Sequence, residues 1–529
     1  MAKFVFVTGG VLSSLGKGIL SSSIARILKS RGINSNCMKI DVYLNCDAGT
    51  LNPFEHGEVF VTQDGFECDL DVGNYERFLN IFARKEQNLM MGQVYKAVIE
   101  KERKGEFLGK TLQMIPHVTN EVKHRIRATA KATGAEVLVV EIGGTVGDIE
   151  SEVVLEAIRQ MRFNGDEVVF IHLALVPTIT TGEQKTKPLQ HSVKMLLASG
   201  IQPDGVVARS EKHLNKEARA KIAMFCNVAP EAVFVSPTVD NIYKLPLVLE
   251  EQGIENLIAE KLSLKLKERD LGEWKELLDK KPKTEKTIAV VGKYATTRDT
   301  YMSVFEALQH AALNNDVKLN AVLIDSEKVE GGTQKLDDFD GFVVPGGFGE
   351  RGVEGIIQTV RYARESDKPY LGLCYGLQLA IIESARNVLG WKDAHTTEIN
   401  PDTKHPVICL LPEQHAIEDK GGTMRLGAYE VKVEKDTLAF GCYKSEKIHK
   451  RFRHRYEINP ELIPDLEKIG WVFSGRDPKR EIRKIGELKG HKFLIGSQYH
   501  PEFDSRLEQP EPLFDGFVKA LSGKIALQK

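Results

Sequence analysis

The chain holds a cysteine between two glycines, Gly372-Leu373-Cys374-Tyr375-Gly376, and far downstream Tyr499-His500-Pro501-Glu502. A thiol, an imidazole and a carboxylate in that chain order make a nucleophile, a general base and the group that orients the base. Such a set opens amides and releases ammonia through a tetrahedral intermediate. That intermediate needs two N–H donors, for which Tyr375 and Gly347, in Pro345-Gly346-Gly347-Phe348-Gly349, are the candidates. A lone cysteine is more often a small packed hydrophobe. The three matching elements together select the catalytic reading over that one.

A second chemistry begins the chain. Gly9-Gly10-Val11-Leu12-Ser13-Ser14-Leu15-Gly16-Lys17-Gly18 follows an apolar run and precedes a helical pattern. Backbone N–H groups at such a turn, a helix dipole and the Lys17 ammonium form a phosphate cradle. The standard pattern is not met in full. Five residues separate Gly10 from Gly16 rather than four, and Gly18 occupies the place of the magnesium-binding Ser or Thr. A metal would need other oxygen ligands. Asp71 and Glu141 are candidates, with a solvated carboxylate or helix cap the equal alternative on spacing alone. Lys185-Thr186-Lys187-Pro188-Leu189-Gln190 offers charges for further phosphates, although a solvated loop is the plainer reading of that stretch by itself.

These groups need strand ends and helix starts to hold them. Short apolar runs alternate with helical patterns, which predicts an α/β fold of two doubly wound domains with mainly parallel sheets. Strands are expected at 4–7, 137–140, 168–175 and 205–208, and again at 287–292, 321–324, 341–344, 370–373 and 493–496. Leu20, Ile24, Ile27 and Leu28 share one helix face. A charged stretch, 266–286, reads as a partly helical linker between a nucleotide-using domain at 1–265 and an amide-hydrolysing domain at 287–529.

The 529 residues suit two or three domains at ~100–200 residues each. A net charge of -2 gives no reason to expect nucleic acid, and no apolar run is long enough to span a membrane. Seven cysteines without a Cys-x-x-Cys pair argue against a disulfide scaffold or zinc site and fit a reducing cytoplasm.

Over nearly its whole length the chain resembles the CTP synthases. Beyond the two sites, the resemblance rests on His56-Gly57-Glu58-Val59-Phe60-Val61, on Glu141 to Glu150, on Gly182 to Gln190 and on Gly422-Thr423-Met424-Arg425-Leu426-Gly427. The resemblance implies an amidoligase domain followed by a class I glutaminase domain. Together they would turn ATP, UTP and glutamine into ADP, phosphate, CTP and glutamate, with ammonia channelled between the sites. By position, Ser14, Leu15, Gly16, Lys17, Gly18, Ile19 and Asp71 would hold ATP, and Asp71 and Glu141 the Mg²⁺. Lys17 and Lys39 would support phosphoryl transfer. Ser13, Lys185, Thr186, Lys187, Pro188, Leu189, Gln190 and Lys221 would hold UTP. Asp148, Ile149 and Glu150 would contact CTP, the feedback inhibitor. Gly347, Tyr375, Gly376, Leu377, Gln378, Glu398 and Arg455 would bind glutamine beside Cys374, His500 and Glu502. GTP is the implied activator and a homotetramer the implied assembly. Two features depart from the family pattern. Tyr375 stands where the family has leucine, and 412–420, which bears on the GTP response, is shorter than in bacterial relatives.

Overall fold

The apolar runs of the first half become one parallel sheet. Strands β1 (Lys3–Gly10), β2 (Ser35–Asp41), β3 (Asn88–Met90), β4 (Val137–Ile142), β5 (Val168–Leu175), β6 (Gly205–Ser210) and β7 (Val233–Pro237) lie in the order β3-β2-β4-β1-β5-β6-β7. Every neighbouring pair is parallel. This is a computed structural model that describes residues 2–12, 14–295, 297–410 and 424–524. The chain winds to one side of β1 through β2, β3 and β4, and to the other through β5, β6 and β7. The change of direction falls at β1, whose carboxyl end is the Gly-rich loop, where open α/β sheets bind ligands. The helix that follows, Lys17–Ser30, buries Leu20, Ile24, Ile27 and Leu28 completely.

The molecule divides into two compact units. The first comprises Met1–Asp47 and Asp71–Leu278; the second comprises Ala48–Leu70 and Asp279–Lys529. This grouping departs from one continuous 1–265 block, because 48–70 packs within the second unit. The expected linker also divides. Gly272–Asp279 is helical, and Trp274 is buried in the first unit with its indole N–H donating to the Tyr243 carbonyl at 2.7 Å. By Thr284 the first strand of the second unit has begun.

In the second unit, β8 (Thr284–Gly292), β9 (Val317–Asp325), β10 (Gly341–Val344), β11 (Tyr370–Leu373), β12 (Arg425–Val433), β13 (Lys447–His454), β14 (Trp471–Arg476), β15 (Arg483–Leu488) and β16 (Leu494–Ser497) form one sheet. Its order is β9-β8-β10-β11-β16-β15-β14-β12-β13. The half from β9 to β16 is parallel, and the half from β16 to β13 is antiparallel. Alternate residues of β8 serve opposite faces. Ile288 and Val290 pack with Leu371, Leu373 and Phe514, whereas Ala289 and Val291 pack with Phe342 and Tyr375. Burial on both faces explains why this strand reads as a continuous apolar run. A short hairpin, Phe60–Val61 with Glu67–Cys68, belongs to this unit too. Among the described residues no helix is long and apolar enough to cross a membrane, and none of the seven cysteines is in a disulfide.

Candidate active sites

The glutaminase-type site forms where β11 meets the helix Tyr375–Asn387. Cys374 sits between them with φ 51° and ψ -96°, a backbone strain stored at the turn. The flanking glycines serve close approach. A Cβ on Gly372 would come within 2.7 Å of the Gly376 carbonyl carbon, and one on Gly376 within 3.0 Å of Val344 Cβ. Neither position admits a side chain, so the helix start presses against the strand ends and presents the thiol. Cys374 Sγ lies 3.5 Å from Gln498 Nε2 and 3.8 Å from the Arg453 carbonyl oxygen.

His500 and Glu502 lie together at the turn Pro501–Asp504, where His500 Nδ1 is 2.7 Å from Glu502 Oε1. The turn is tied down by the His500 N–H, which donates to the Arg451 carbonyl at 2.8 Å. His500 Nε2 is buried with no hydrogen-bond partner among the described residues. Burial pushes the imidazole pKa down, but the Glu502 carboxylate and the Cys374 sulfur outweigh it and raise it to about 10. The imidazolium is therefore the favoured form of His500. Cys374, His500 and Glu502 share a pocket of ≈ 330 Å³ with Gly346, Gly347 and Arg455, and residues of 48–70 supply another wall. Glu398 is near this loop, its Oε1 accepting from the Gly349 N–H at 2.8 Å; burial raises its pKa.

Some expected glutamine contacts lie deeper. Leu377 is fully buried in the core, and the Gly376 carbonyl accepts from the Tyr370 hydroxyl at 2.9 Å. The Gln378 amide donates to the Tyr456 carbonyl and to Gln498 Oε1. These residues pack the floor of the turn. Spacing did not reveal Lys293. Its ammonium donates to the Phe348 carbonyl at 2.7 Å and also to that of Gly349. The signal was available, since Lys293 directly follows the carboxyl end of β8, where sheets of this kind place functional groups.

In the first unit, Lys39 and Glu141 are register partners on β2 and β4, so their side chains meet. Lys39 Nζ is 3.3 Å from Glu141 Oε1 and also ion-paired with Asp71. Burial would raise the Asp71 pKa, but Lys39 and the Asn74 amide hold it low. Glu141, buried and beside Asp71, is pushed up to about 8, and the Tyr75 hydroxyl donates to its Oε2 at 2.5 Å. Tyr75 carried no sequence signal. Gly16 adopts φ 94°, and the Lys17 ammonium that follows donates to the Gly144 carbonyl at 2.8 Å; burial lowers its pKa. Gly18 lies under Asp71: an added Cβ would stand 2.9 Å from Oδ2 and closer to Oδ1. This explains why no Ser or Thr stands there. Leu15 is buried, whereas Ser14 is exposed. Ser13 lies outside the described residues, as does 411–423.

The remaining expected nucleotide residues lie on the helices and loops that follow the sheet strands. Asp148 precedes the helix Ile149–Phe163, with Ile149 and Glu150 exposed. Thr186 precedes the helix Lys187–Ala198, with Pro188 in its first turn. Lys185 pairs with Glu183 at 2.6 Å, and Lys221 with Glu217 at 2.6 Å. The Gln184 amide bonds the His213 carbonyl and the Asn215 N–H, drawing the Lys221 helix toward the 183–186 loop. The Gln190 amide donates to Thr186 Oγ1, and the Leu189 side chain is fully buried. His172 joins this helix to the phosphate loop, with Nδ1 2.9 Å from Thr8 Oγ1 and Nε2 2.7 Å from Ser192 Oγ. Burial, with Lys17 nearby, lowers its pKa to about 3, so it is neutral.

Residues 3–264 match the family described as CTP synthase N-terminus, and residues 296–520 match glutamine amidotransferase class-I. The chain is 53% identical over 528 residues to the CTP synthase of Pyrococcus furiosus, covering 98% of each chain. It is 51% identical to that of Carboxydothermus hydrogenoformans and 50% identical to that of Bacillus subtilis, each over 527 residues and 98% of both chains. With both family matches in their order and half of all residues shared along full-length relatives, the chain belongs to the CTP synthase family.

Proposed function

We propose that this chain aminates UTP to CTP with ammonia taken from glutamine, at the expense of ATP. The observation that carries the glutaminase half is the strained Cys374 sharing a pocket with the His500–Glu502 pair, whose Nε2 is left unpartnered. The Cys374 thiolate attacks the glutamine amide carbon. The Tyr375 and Gly347 N–H groups receive the oxyanion, and His500 hands its proton to the departing ammonia. His500 then takes a proton from the water that releases glutamate, while Glu502 holds the imidazole's orientation. Arg455 and Glu398 meet the carboxylate and ammonium of the substrate.

In the amidoligase half, ATP binds along Ser14 to Ile19 and phosphorylates uracil O4, and ammonia displaces phosphate at C4. Lys17 and Lys39 orient the phosphoryl group. Two carboxylates converging on one ammonium fit a divalent cation that nucleotide phosphates would share, so Asp71 and Glu141 are the residues to hold Mg²⁺. When bound, Mg²⁺ would screen the phosphate charge. UTP is assigned to Ser13, Lys185 to Gln190 and Lys221, and CTP inhibition to an overlapping site at Asp148 to Glu150. Activation by GTP, a homotetramer and a cytoplasmic location are included in this reading as what the family resemblance implies. Free ammonia is mostly protonated at neutral pH, which favours its direct delivery from Cys374 to UTP.

The test is CTP formation by absorbance with ATP, UTP and Mg²⁺, from glutamine or from ammonium chloride. The wild type should use both nitrogen sources and Cys374→Ala only ammonia. No CTP from ammonia in either protein would remove the assignment.

A further inference from the structure

The Pro345–Gly349 loop is held by three side chains that the thiol chemistry does not itself use. The Phe348 carbonyl accepts from Lys293 Nζ at 2.7 Å, and the next N–H, that of Gly349, donates to Glu398 Oε1 at 2.8 Å. Both polar ends of the 348–349 peptide are thus engaged, and it cannot rotate without breaking a bond to a charged group. The Gly349 carbonyl accepts from Lys293 and from the Tyr375 hydroxyl, the latter at 2.8 Å. The Lys293 ammonium lies 4.8 Å from the centre of the Tyr375 ring, a cation–π contact that holds both in register. Its stem closes on the loop as well, since Lys293 Cδ is 3.2 Å from where a Gly347 Cβ would be. Tyr375 follows Cys374 directly.

We propose that Tyr375 and Lys293, with Glu398, are positioning residues for glutamine hydrolysis, locking the Pro345–Gly349 loop so that the Gly347 N–H is preset for the oxyanion. The proposal rests on the reading of Cys374 as the nucleophile. A donor fixed before reaction costs no reorganisation in the transition state, so its loss lowers kcat more than it changes substrate binding. Lys293 adds a dependence on pH. Burial brings its pKa down to about 8, so the charge on this clamp weakens as pH rises through that value.

The test measures glutamine hydrolysis by full-length Tyr375→Phe, Tyr375→Leu, Lys293→Met and Lys293→Arg. In parallel, mass analysis of the Cys374 peptide gives its alkylation rate with iodoacetamide. Alkyl halide displacement forms no oxyanion, so it reports the thiol and His500 alone. Tyr375→Phe should lower kcat about tenfold with KM within twofold and a wild-type alkylation rate. Lys293→Met should lower kcat at least as much, and Lys293→Arg should recover part of it. Wild-type kcat in Tyr375→Phe would overturn the proposal, as would a fall matched by equally slow alkylation. Glutamine hydrolysis surviving in Cys374→Ala would instead overturn the nucleophile assignment beneath it.

Discussion

Gly18→Ser would give this phosphate loop the hydroxyl that a standard one uses for magnesium, yet it should destroy synthesis. A Cβ at this position would lie 2.9 Å from Asp71 Oδ2 and nearer still to Oδ1, inside the 3.0 Å that real Cβ contacts respect. Asp71 cannot yield freely, because it is ion-paired with Lys39 and accepts from Asn74 Nδ2 at 3.2 Å. Relief therefore means losing the Lys39 pair or displacing the start of the helix. Overpacking of this kind costs about 1–3 kcal/mol, and breaking a buried ion pair about 3–5 kcal/mol. A misplacement on the order of 1 Å in a phosphoryl-transfer site lowers its rate about 10²-fold. The assay is ammonia-dependent CTP formation under saturating ATP, UTP and Mg²⁺, with glutamine hydrolysis by the second unit reporting that the chain is folded. A Gly18→Ser protein that makes CTP from ammonia at the wild-type rate would refute the view that Asp71 occupies the hydroxyl's place.

The catalytic turn of the second unit supplies two more expectations. The His500 pKa is raised from its ordinary value to about 10, so the stability contributed by the imidazolium is complete below about pH 6.5 and lost as pH rises through 10. Glu502→Gln removes the largest cause of that rise and leaves burial to act. The alkaline limit of glutamine hydrolysis should move toward neutrality and kcat should fall about 10²–10⁴-fold; an unchanged pH profile would refute the pairing. Arg451 is completely buried, donating to the Val61 carbonyl at 2.9 Å, the Phe503 carbonyl at 2.6 Å and Asp504 Oδ1 at 2.9 Å. Arg451→Met should cost about 3–5 kcal/mol and lower the calorimetric unfolding temperature of the second unit by roughly 10 °C. A shift below about 2 °C would show that Lys450, 3.3 Å from Asp504, suffices for that carboxylate.

What could be read from the chain was what local spacing determines. Cys374 between close-packed glycines, His500 and Glu502 two residues apart in one turn, and the Gly-rich loop after β1 depend on neighbours in sequence. Four strands of the first sheet and the parallel half of the second announced themselves as apolar runs, whereas β2, Ser35–Asp41, is interrupted by polar residues, and β3, Asn88–Met90, and β7, Val233–Pro237, are short, so these three did not. The antiparallel half of the second sheet did not, because β12 alternates buried and partly exposed residues along Arg425–Val433 and β13 carries two Lys and two Arg. Tyr375 was visible beside Cys374, but its hydroxyl acts on Gly349, which folding alone brings near. Tyr75 and Glu141 are likewise 66 residues apart in the chain and 2.5 Å apart in space. Lys293 shows the intermediate case, where its place at a strand's carboxyl end gave a reason to look but named no partner.

The segment 48–70 is the feature least accessible to spacing, and it has a physical reason for its place. The second unit carries one buried and one partly buried guanidinium group on β13, Arg451 and Arg453, that its own later sequence satisfies only in part. Arg453 is ion-paired with the buried carboxylate of Glu67 at 2.8 Å, and Arg451 donates to the Val61 carbonyl. The Arg451 guanidinium also lies over the Phe60 ring, which packs edge-on against Phe503. Glu58 accepts from the Ser303 N–H at 3.1 Å, at the start of the helix Met302–Asn314. An unpaired buried charge costs several kcal/mol. The residues that satisfy these cations therefore belong to the fold of the unit, wherever they fall in sequence. Phe503 and Asp504 follow His500 and Glu502 in the same turn, and the Arg453 carbonyl lies beside Cys374 Sγ. Whatever fixes Arg451 and Arg453 thus also fixes the catalytic turn. A stretch from the nucleotide-binding half of the sequence is in this way built into the support of the glutamine site.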